Sequence, residues 1–143
     1  GELSEGALRV CKQNVRRTEL NARVTCLGVN ALETPSSSLW DFDAIVCNPP
    51  YIPSGDISGL DVSVKDYEPH MALDGGEDGL DFYRAIAAKW KPALRLGGAL
   101  IFEVGLGQAP SVEDILYQNG YEDVKILPDT QGILRVVEGT VNN

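Results

Sequence analysis

The chain has 143 residues, 43% of them hydrophobic, with 12 Lys and Arg against 21 Asp and Glu for a formal net charge of −9. That length suits one domain with its own core, and that hydrophobic content argues against disorder. The acidity argues against a duplex-binding surface, no apolar run approaches the roughly 18 residues of a membrane span, and the start Gly1-Glu2-Leu3-Ser4 lacks a signal-peptide layout.

Ser4 is placed to cap a helix in which Ala7, Cys11 and Val15 recur at four-residue spacing, with Leu8 beside them. Arg9, Lys12, Gln13, Arg16 and Arg17 fill its other faces and read as a solvated surface rather than a phosphate site. After a turn at Asn21-Ala22, residues 24–27 read as a short strand. Ser36-Ser37-Ser38 marks a surface loop, and Asp43 is a solvated turn residue before the apolar run Ala44-Ile45-Val46-Cys47. This run is continuous rather than alternating, the pattern of a strand covered on both faces. Residues 52–77 show no sustained period, and a loop of that length in a compact domain is functional or mobile.

Asp78 then caps a helix that carries Phe82, Ile86 and Trp90, is bent or interrupted at Pro92, and stops at Gly97-Gly98. Residues 99–104 read as another buried strand. Ser111 begins a helix through Val112, Ile115 and Leu116, with Asp114 as its capping-box partner and Gly120 as its end. Residues 124–127 and 134–137 form a hairpin around 129–132. Strand and helix alternate through most of the chain, which makes the class α/β with a largely parallel sheet.

The chemistry concentrates at Asn48-Pro49-Pro50-Tyr51, directly after a predicted buried strand, where open α/β sheets place their ligands. Two prolines remove two backbone donors and fix two φ angles, leaving a stiff loop that presents carbonyls. The Asn48 side-chain oxygen and the Pro49 carbonyl can each accept one N–H of a planar NH2 group, with Tyr51 packed against its flat face. A strand ending in a plain turn is the alternative, since Asn and Pro are common there; the amide before and the ring after favour a site.

Other signals are weaker. Cys11, Cys26 and Cys47 make no CxxC pair and His70 is the single histidine, so a metal has few ligands and the thiols read as reduced, in the cytoplasm. Gly105-Leu106-Gly107 is followed by Pro110 where G-x-G-x-x-G needs glycine, and Gly75-Gly76 with Gly79 reads as turn geometry. His70 reads as a polar loop residue and Glu103 equally as a cleft or a strand-end carboxylate. Tyr67-Glu68-Pro69 reads as a segment that orders the loop over a substrate.

NPPY after a hydrophobic strand resembles the signature of methyltransferases that alkylate exocyclic or amide nitrogens with S-adenosyl-L-methionine. Around it stand Ile52-Pro53, Tyr67-Glu68-Pro69, Ala72-Leu73-Asp74-Gly75-Gly76, Asp78-Gly79-Leu80-Asp81-Phe82-Tyr83, Gly97-Gly98, Glu103-Val104-Gly105 with Gln108, and Arg135-Val136-Val137. In kind and order this series is similar to the release-factor glutamine N5-methyltransferases of the HemK/PrmC type.

The resemblance implies an incomplete Rossmann-like class I methyltransferase sheet with flanking helices, its N-terminal strands missing. It makes residues 1–143 a single partial domain that lacks the glycine-rich cofactor loop. The implied reaction moves a methyl group from S-adenosyl-L-methionine to the side-chain nitrogen of the glutamine in the GGQ motif of peptide-chain release factors. Asn48, Pro49, Pro50 and Tyr51 are then the catalytic loop. Glu2 at the ribose, Asn30 near the adenine and Asn48 are the cofactor-binding residues. No metal is implied, because a sulfonium donor carries its own leaving group. Release factors are the implied partners, without membrane or nucleic acid. An adenine N6-methyltransferase of nucleic acid and a non-catalytic fragment of the family stay open as alternatives. With two strands missing, the strand at 24–27 is expected to be displaced, re-paired, swapped between chains, or completed by material absent from this sequence. The isolated chain is expected to bind cofactor weakly or not at all.

Overall fold

The structure, a computed structural model, describes residues 1–61 and 69–142. Helix α1 (Glu5–Arg17) starts as its sequence predicts, with the Ser4 hydroxyl accepting the Ala7 N–H at 3.4 Å and Arg16 and Arg17 in the last turn. It buries no residue; its apolar row is half-buried only at Leu8 and Val15, and its basic residues are all exposed. Residues 24–27 are not a strand. Their neighbourhood pairs once, at a parallel bridge between Gly28 and Glu2, where the Glu2 N–H donates to the Leu27 carbonyl at 3.0 Å and the Val29 N–H to that of Glu2 at 3.1 Å. An apolar stretch with no adjacent strand to take its backbone groups cannot hold a ladder, and residue 2 supplies the single partner.

Strands β1 (Phe42–Cys47), β2 (Leu94–Glu103), β3 (Glu122–Pro128) and β4 (Leu134–Thr140) form one sheet in the order β1-β2-β4-β3. The β1–β2 pair is parallel, with Ile45 opposite Leu100 and Cys47 opposite Phe102. The β2–β4 and β4–β3 pairs are antiparallel, which corrects the expectation of a largely parallel sheet. The cause is the hairpin expected at 129–132: the Asp129 carboxylate accepts the N–H groups of Gln131 and Ile133 at 2.8 and 3.0 Å, and β4 returns between β2 and β3.

Helices α2 (Asp81–Lys89) and α3 (Ala109–Gln118) contribute Tyr83, Ile86, Val112 and Leu116 to a core shared with Leu100, Phe102 and Val137 of the sheet. Tyr83 is fully buried, meets the Phe102 ring edge-on at 5.1 Å, and donates its hydroxyl to the Glu103 carbonyl at 2.9 Å. Burial raises its phenol well above the ordinary tyrosine value, so it stays a donor at any working pH. Tyr83→Phe is expected to cost about 1 kcal/mol in urea unfolding, the net worth of one hydrogen bond; an unchanged midpoint would mean the Glu103 carbonyl finds water instead.

Coverage of β1 is one-sided, against expectation: Phe42, Ile45 and Cys47 are half-buried while Val46 is 74% exposed. An apolar run alone does not reveal whether a second layer is present, and α1, which buries nothing, does not provide one.

The helix limits also shift. Asp78 does not cap α2; it accepts the Leu80 N–H at 3.0 Å and pairs with Arg84, whose guanidinium holds its carboxyl below the usual range. The helix ends at Lys89, Pro92 sits in the short 3-10 turn Lys91–Ala93, and Gly97-Gly98 lie inside β2. A Cβ on Gly98 would stand 2.9 Å from the Phe42 carbonyl oxygen, so glycine there serves the irregular start of the β1–β2 ladder rather than a helix end. Ser111 lies within α3, which starts at Ala109 with Pro110 in its first turn, and Gly120 closes it at φ +72° as expected. No helix among the described residues is long and apolar enough to cross a membrane.

Candidate active site

At Cys47 the first strand hands the chain to Asn48-Pro49-Pro50-Tyr51, at the carboxyl edge of the parallel β1–β2 pair. Pro49 is buried and Pro50 half-buried, so the prolines anchor the loop while the Asn48 side chain stands exposed. Tyr51 is half-buried against the core. Its carbonyl accepts Gln108 Nε2 at 2.9 Å, and Gln108 Oε1 accepts the Gly105 N–H at 2.9 Å, which ties the loop to the turn after β2. The same Nε2 reaches the Gly79 carbonyl at 3.4 Å.

Glycines close tightly around Tyr51. A Cβ on Gly75 would stand 2.8 Å from Tyr51 Cα, one on Gly105 would stand 2.8 Å from the ring's Cδ2, and one on Gly79 would overlap the Tyr51 carbonyl. Gly76 and Gly79 also have positive φ, in keeping with turn geometry. Farther along, Ile52 bridges Asp74 in parallel and Ser54 Oγ donates to Asp74 Oδ1 at 2.6 Å. That hydroxyl and the Gly76 N–H hold the Asp74 carboxyl below its ordinary value. The segment predicted as one long loop therefore contains a backbone bridge and the 3-10 turns Ser54–Gly59 and His70–Ala72 in its described part.

One face of the loop lines a cavity of about 310 Å³ whose wall includes Glu2, Asn30, Cys47, Asn48, Pro49 and Phe82. The three residues assigned to cofactor binding from the sequence, Glu2, Asn30 and Asn48, thus meet on one cavity. Glu2 Oε1 accepts the Ser4 N–H at 2.8 Å. Asn30 Oδ1 accepts the Leu32 N–H at 3.0 Å, and its Nδ2 donates to Glu33 at 3.2 Å. Burial pushes the Cys47 thiol up to about 11, so it is protonated at neutral pH and the wall offers acceptors and apolar surface rather than a strong base. Across the loop, Tyr51, Ile52 and Pro53 border a second cavity of about 570 Å³ with Gly105, Leu106 and Gln108.

Among curated proteins, the chain is 42% identical over 140 residues to the release factor glutamine methyltransferase of Geobacter sulfurreducens, across 98% of this chain and 48% of that protein. The release factor glutamine methyltransferase of Clostridium acetobutylicum is 41% identical over 136 residues, across 95% of this chain and 48% of its own length. Over nearly its whole length the chain is similar to release factor glutamine methyltransferases. It spans about half the length of the curated relatives it matches. No protein-family model matches it. In fold, a possible exported protein from Bordetella parapertussis superposes with TM-score 0.61 at 13% identity, over 99% of this chain and 52% of that one. An O-methyltransferase family protein from Burkholderia thailandensis gives 0.55 at 11%, over 93% and 40%. These likenesses show the fold alone: a mixed α/β sheet with flanking helices, shared with about half of each of those longer chains.

The structural role of Gln108 and of Gly75, Gly79 and Gly105 is the part that the sequence motifs do not explain by themselves. The remaining marked residues lie to the side. His70 is exposed with Nδ1 3.9 Å from Asp74 Oδ2. Glu103 borders neither cavity. Asp43 sits in β1 rather than in a turn and pairs with Arg95 at 2.6 Å on the surface. Tyr67 and Glu68 lie outside the described residues.

Proposed function

We propose that this chain supplies the amide-binding half of a cytoplasmic site that transfers a methyl group from S-adenosyl-L-methionine to the glutamine side chain in the GGQ motif of peptide-chain release factors. The observation that carries this reading is the placement of Asn48, Pro49 and Pro50 on the cavity that Glu2 and Asn30 also line. An amide nitrogen is a poor nucleophile because its lone pair is delocalised into its carbonyl. Asn48 Oδ1 and the Pro49 carbonyl, each accepting one N–H, orient that nitrogen and favour the positive charge that builds on it. The family resemblance assigns Tyr51 to the flat face of the amide; its ring is half-buried against the core and borders the cavity across the loop. When bound, the donor supplies a methyl group already activated on a cationic sulfur.

The donor set fits a nucleoside in part. A carboxylate at Glu2 suits ribose hydroxyls, and the Asn30 amide suits the edge of a base. Among the described residues the wall holds no glycine turn to present N–H groups to the amino-acid end of the cofactor, and about 310 Å³ is at the small end of ligand sites. The isolated chain is therefore expected to bind S-adenosyl-L-methionine with a Kd of about 1 mM or weaker; calorimetry giving micromolar affinity would show that the nucleoside contacts suffice.

The reaction is tested by joining this chain to the half of the Geobacter sulfurreducens relative that it does not match, and supplying S-adenosyl-L-methionine with a release factor. Methyl incorporation at the GGQ glutamine supports the reading. Methylation of adenine in DNA, with the release factor untouched, would assign the loop to nucleic acid. A folded, cofactor-binding chimera that methylates neither would overturn the catalytic reading and leave a non-catalytic member of the family.

A further inference from the structure

Cys11 and Cys26 have no part in the cavity described above, yet the fold brings them together. We propose that they form a thiol–disulfide exchange site for an anionic low-molecular-weight disulfide of the glutathione type. The two Sγ atoms stand 3.0 Å apart, although the residues are 15 apart in sequence. Both are free thiols, Cys11 exposed on α1 and Cys26 half-buried in the segment that replaces the expected strand. A disulfide of about 2.05 Å needs about 1 Å of further approach, and both side chains hang on segments that bury little.

A second observation points to the ligand. Beside Cys26 lies a cavity of about 270 Å³ lined by Lys12, Val15, Arg16 and Asn21 among others. Lys12 and Arg16 are exposed, and neither forms an ion pair with a described residue. On a chain of formal charge −9, this is a local positive notch directly against Cys26, whose Sγ meets that of Cys11. A peptide disulfide whose carboxylates face Lys12 and Arg16 brings its sulfurs to Cys11 and Cys26. The same basic residues look like an ordinary solvated helix face until the segment at 24–26 is folded beside them.

The exchange balances in two steps. The exposed Cys11 thiolate attacks one sulfur of oxidised glutathione; the glutathione S–S bond breaks, and one glutathione leaves with the electron pair and takes up a proton. The Cys26 thiolate then attacks Cys11 Sγ, expels the second glutathione, and closes the Cys11–Cys26 bond. Two electrons pass from the cysteine pair to the glutathione pair. The hydrogen bond shared with Cys11 holds the Cys26 thiol above its ordinary value, which favours Cys11 as the first nucleophile. The product staples α1 to the segment that bridges Glu2 through Gly28, and so braces one wall of the cavity that Glu2 and Asn48 line.

The test uses this chain as it is, with oxidised glutathione, read by intact mass and a peptide map. The expected product has lost two hydrogens, with Cys11 and Cys26 in one linked peptide and Cys47 still a thiol. Cys11→Ser and Cys26→Ser are each expected to stop at a glutathione adduct on the remaining cysteine of the pair. The Lys12→Gln/Arg16→Gln double variant is expected to react about tenfold more slowly with oxidised glutathione at low salt, and faster with the cationic disulfide cystamine. A stable adduct without the internal bond, or a link to Cys47, would overturn the dithiol assignment. Equal rates for the two disulfides in both proteins would overturn the anion notch. Amide hydrogen exchange over α1 is expected to slow about tenfold on oxidation, and an unchanged α1 would refute the staple.

Discussion

Replacing Asn48 by alanine is expected to lower glutamine methylation by about 10²–10³-fold while leaving the fold intact. The side chain is exposed, whereas Pro49 beside it is buried, so the loop keeps its anchor when the amide is removed. A surface truncation of this kind changes stability by no more than about 0.5 kcal/mol. The catalytic loss is larger because the acceptor matters most when charge has built on the target nitrogen. Transition-state interactions of this sort carry about 2.7–4 kcal/mol in sites that present fixed dipoles to developing charge. The loss is therefore expected in kcat rather than KM, measured in the chimera with a release factor as substrate. Asn48→Asp keeps an acceptor oxygen and is expected to retain more activity than Asn48→Ala. If both variants lose the same amount, or if only KM rises, hydrogen-bond acceptance by Asn48 is not what activates the amide.

Asn48-Pro49-Pro50-Tyr51 is legible in the sequence because its chemistry is local: four consecutive residues set the stiffness, the acceptors and the ring. The Ser4 cap and the Asp129 hairpin are legible for the same reason, since each bonds to backbone groups within four residues of itself. Asp78 shows where local reasoning runs out. Two partners compete for its carboxylate, and Arg84 together with the Leu80 N–H takes it before it can cap the helix. The strand expected at 24–27 fails for a different reason, because a strand exists only when a neighbour accepts its backbone groups, and Glu2 alone does so here. Gln108 is least legible of all. It is 57 residues from Tyr51 in sequence, and nothing in its own surroundings says that its amide spans two segments. The meeting of Cys11 and Cys26 is hidden in the same way, since neither spacing nor context marks them as a pair.

Gln108→Ala is expected to destabilise the chain by about 2 kcal/mol and to reduce methyl transfer by about 10²-fold. Its side chain satisfies the N–H of the buried Gly105 and the carbonyl of Tyr51, both at 2.9 Å. Each group left unpaired costs about 1–3 kcal/mol. Gln108 also borders the second cavity, from which water can reach the vacated place, and this holds the total near the lower end. The effect on transfer follows from geometry: the Tyr51 carbonyl lies at the end of the proposed catalytic loop, and a displacement of about 1 Å at a reacting site costs about 10²-fold. Gln108→Glu separates the two hydrogen bonds. A carboxylate still accepts from Gly105 but has no N–H for Tyr51, and it sets negative charge against the carbonyls of Tyr51 and Gly79, which the amide approaches at 2.9 and 3.4 Å. It is expected to be at least as damaging to transfer as alanine, although it preserves the bond to Gly105. Urea unfolding and single-turnover methylation in the chimera distinguish the outcomes. Full transfer by Gln108→Glu would show that the bond to Gly105 alone positions the loop, and that donation to Tyr51 is incidental.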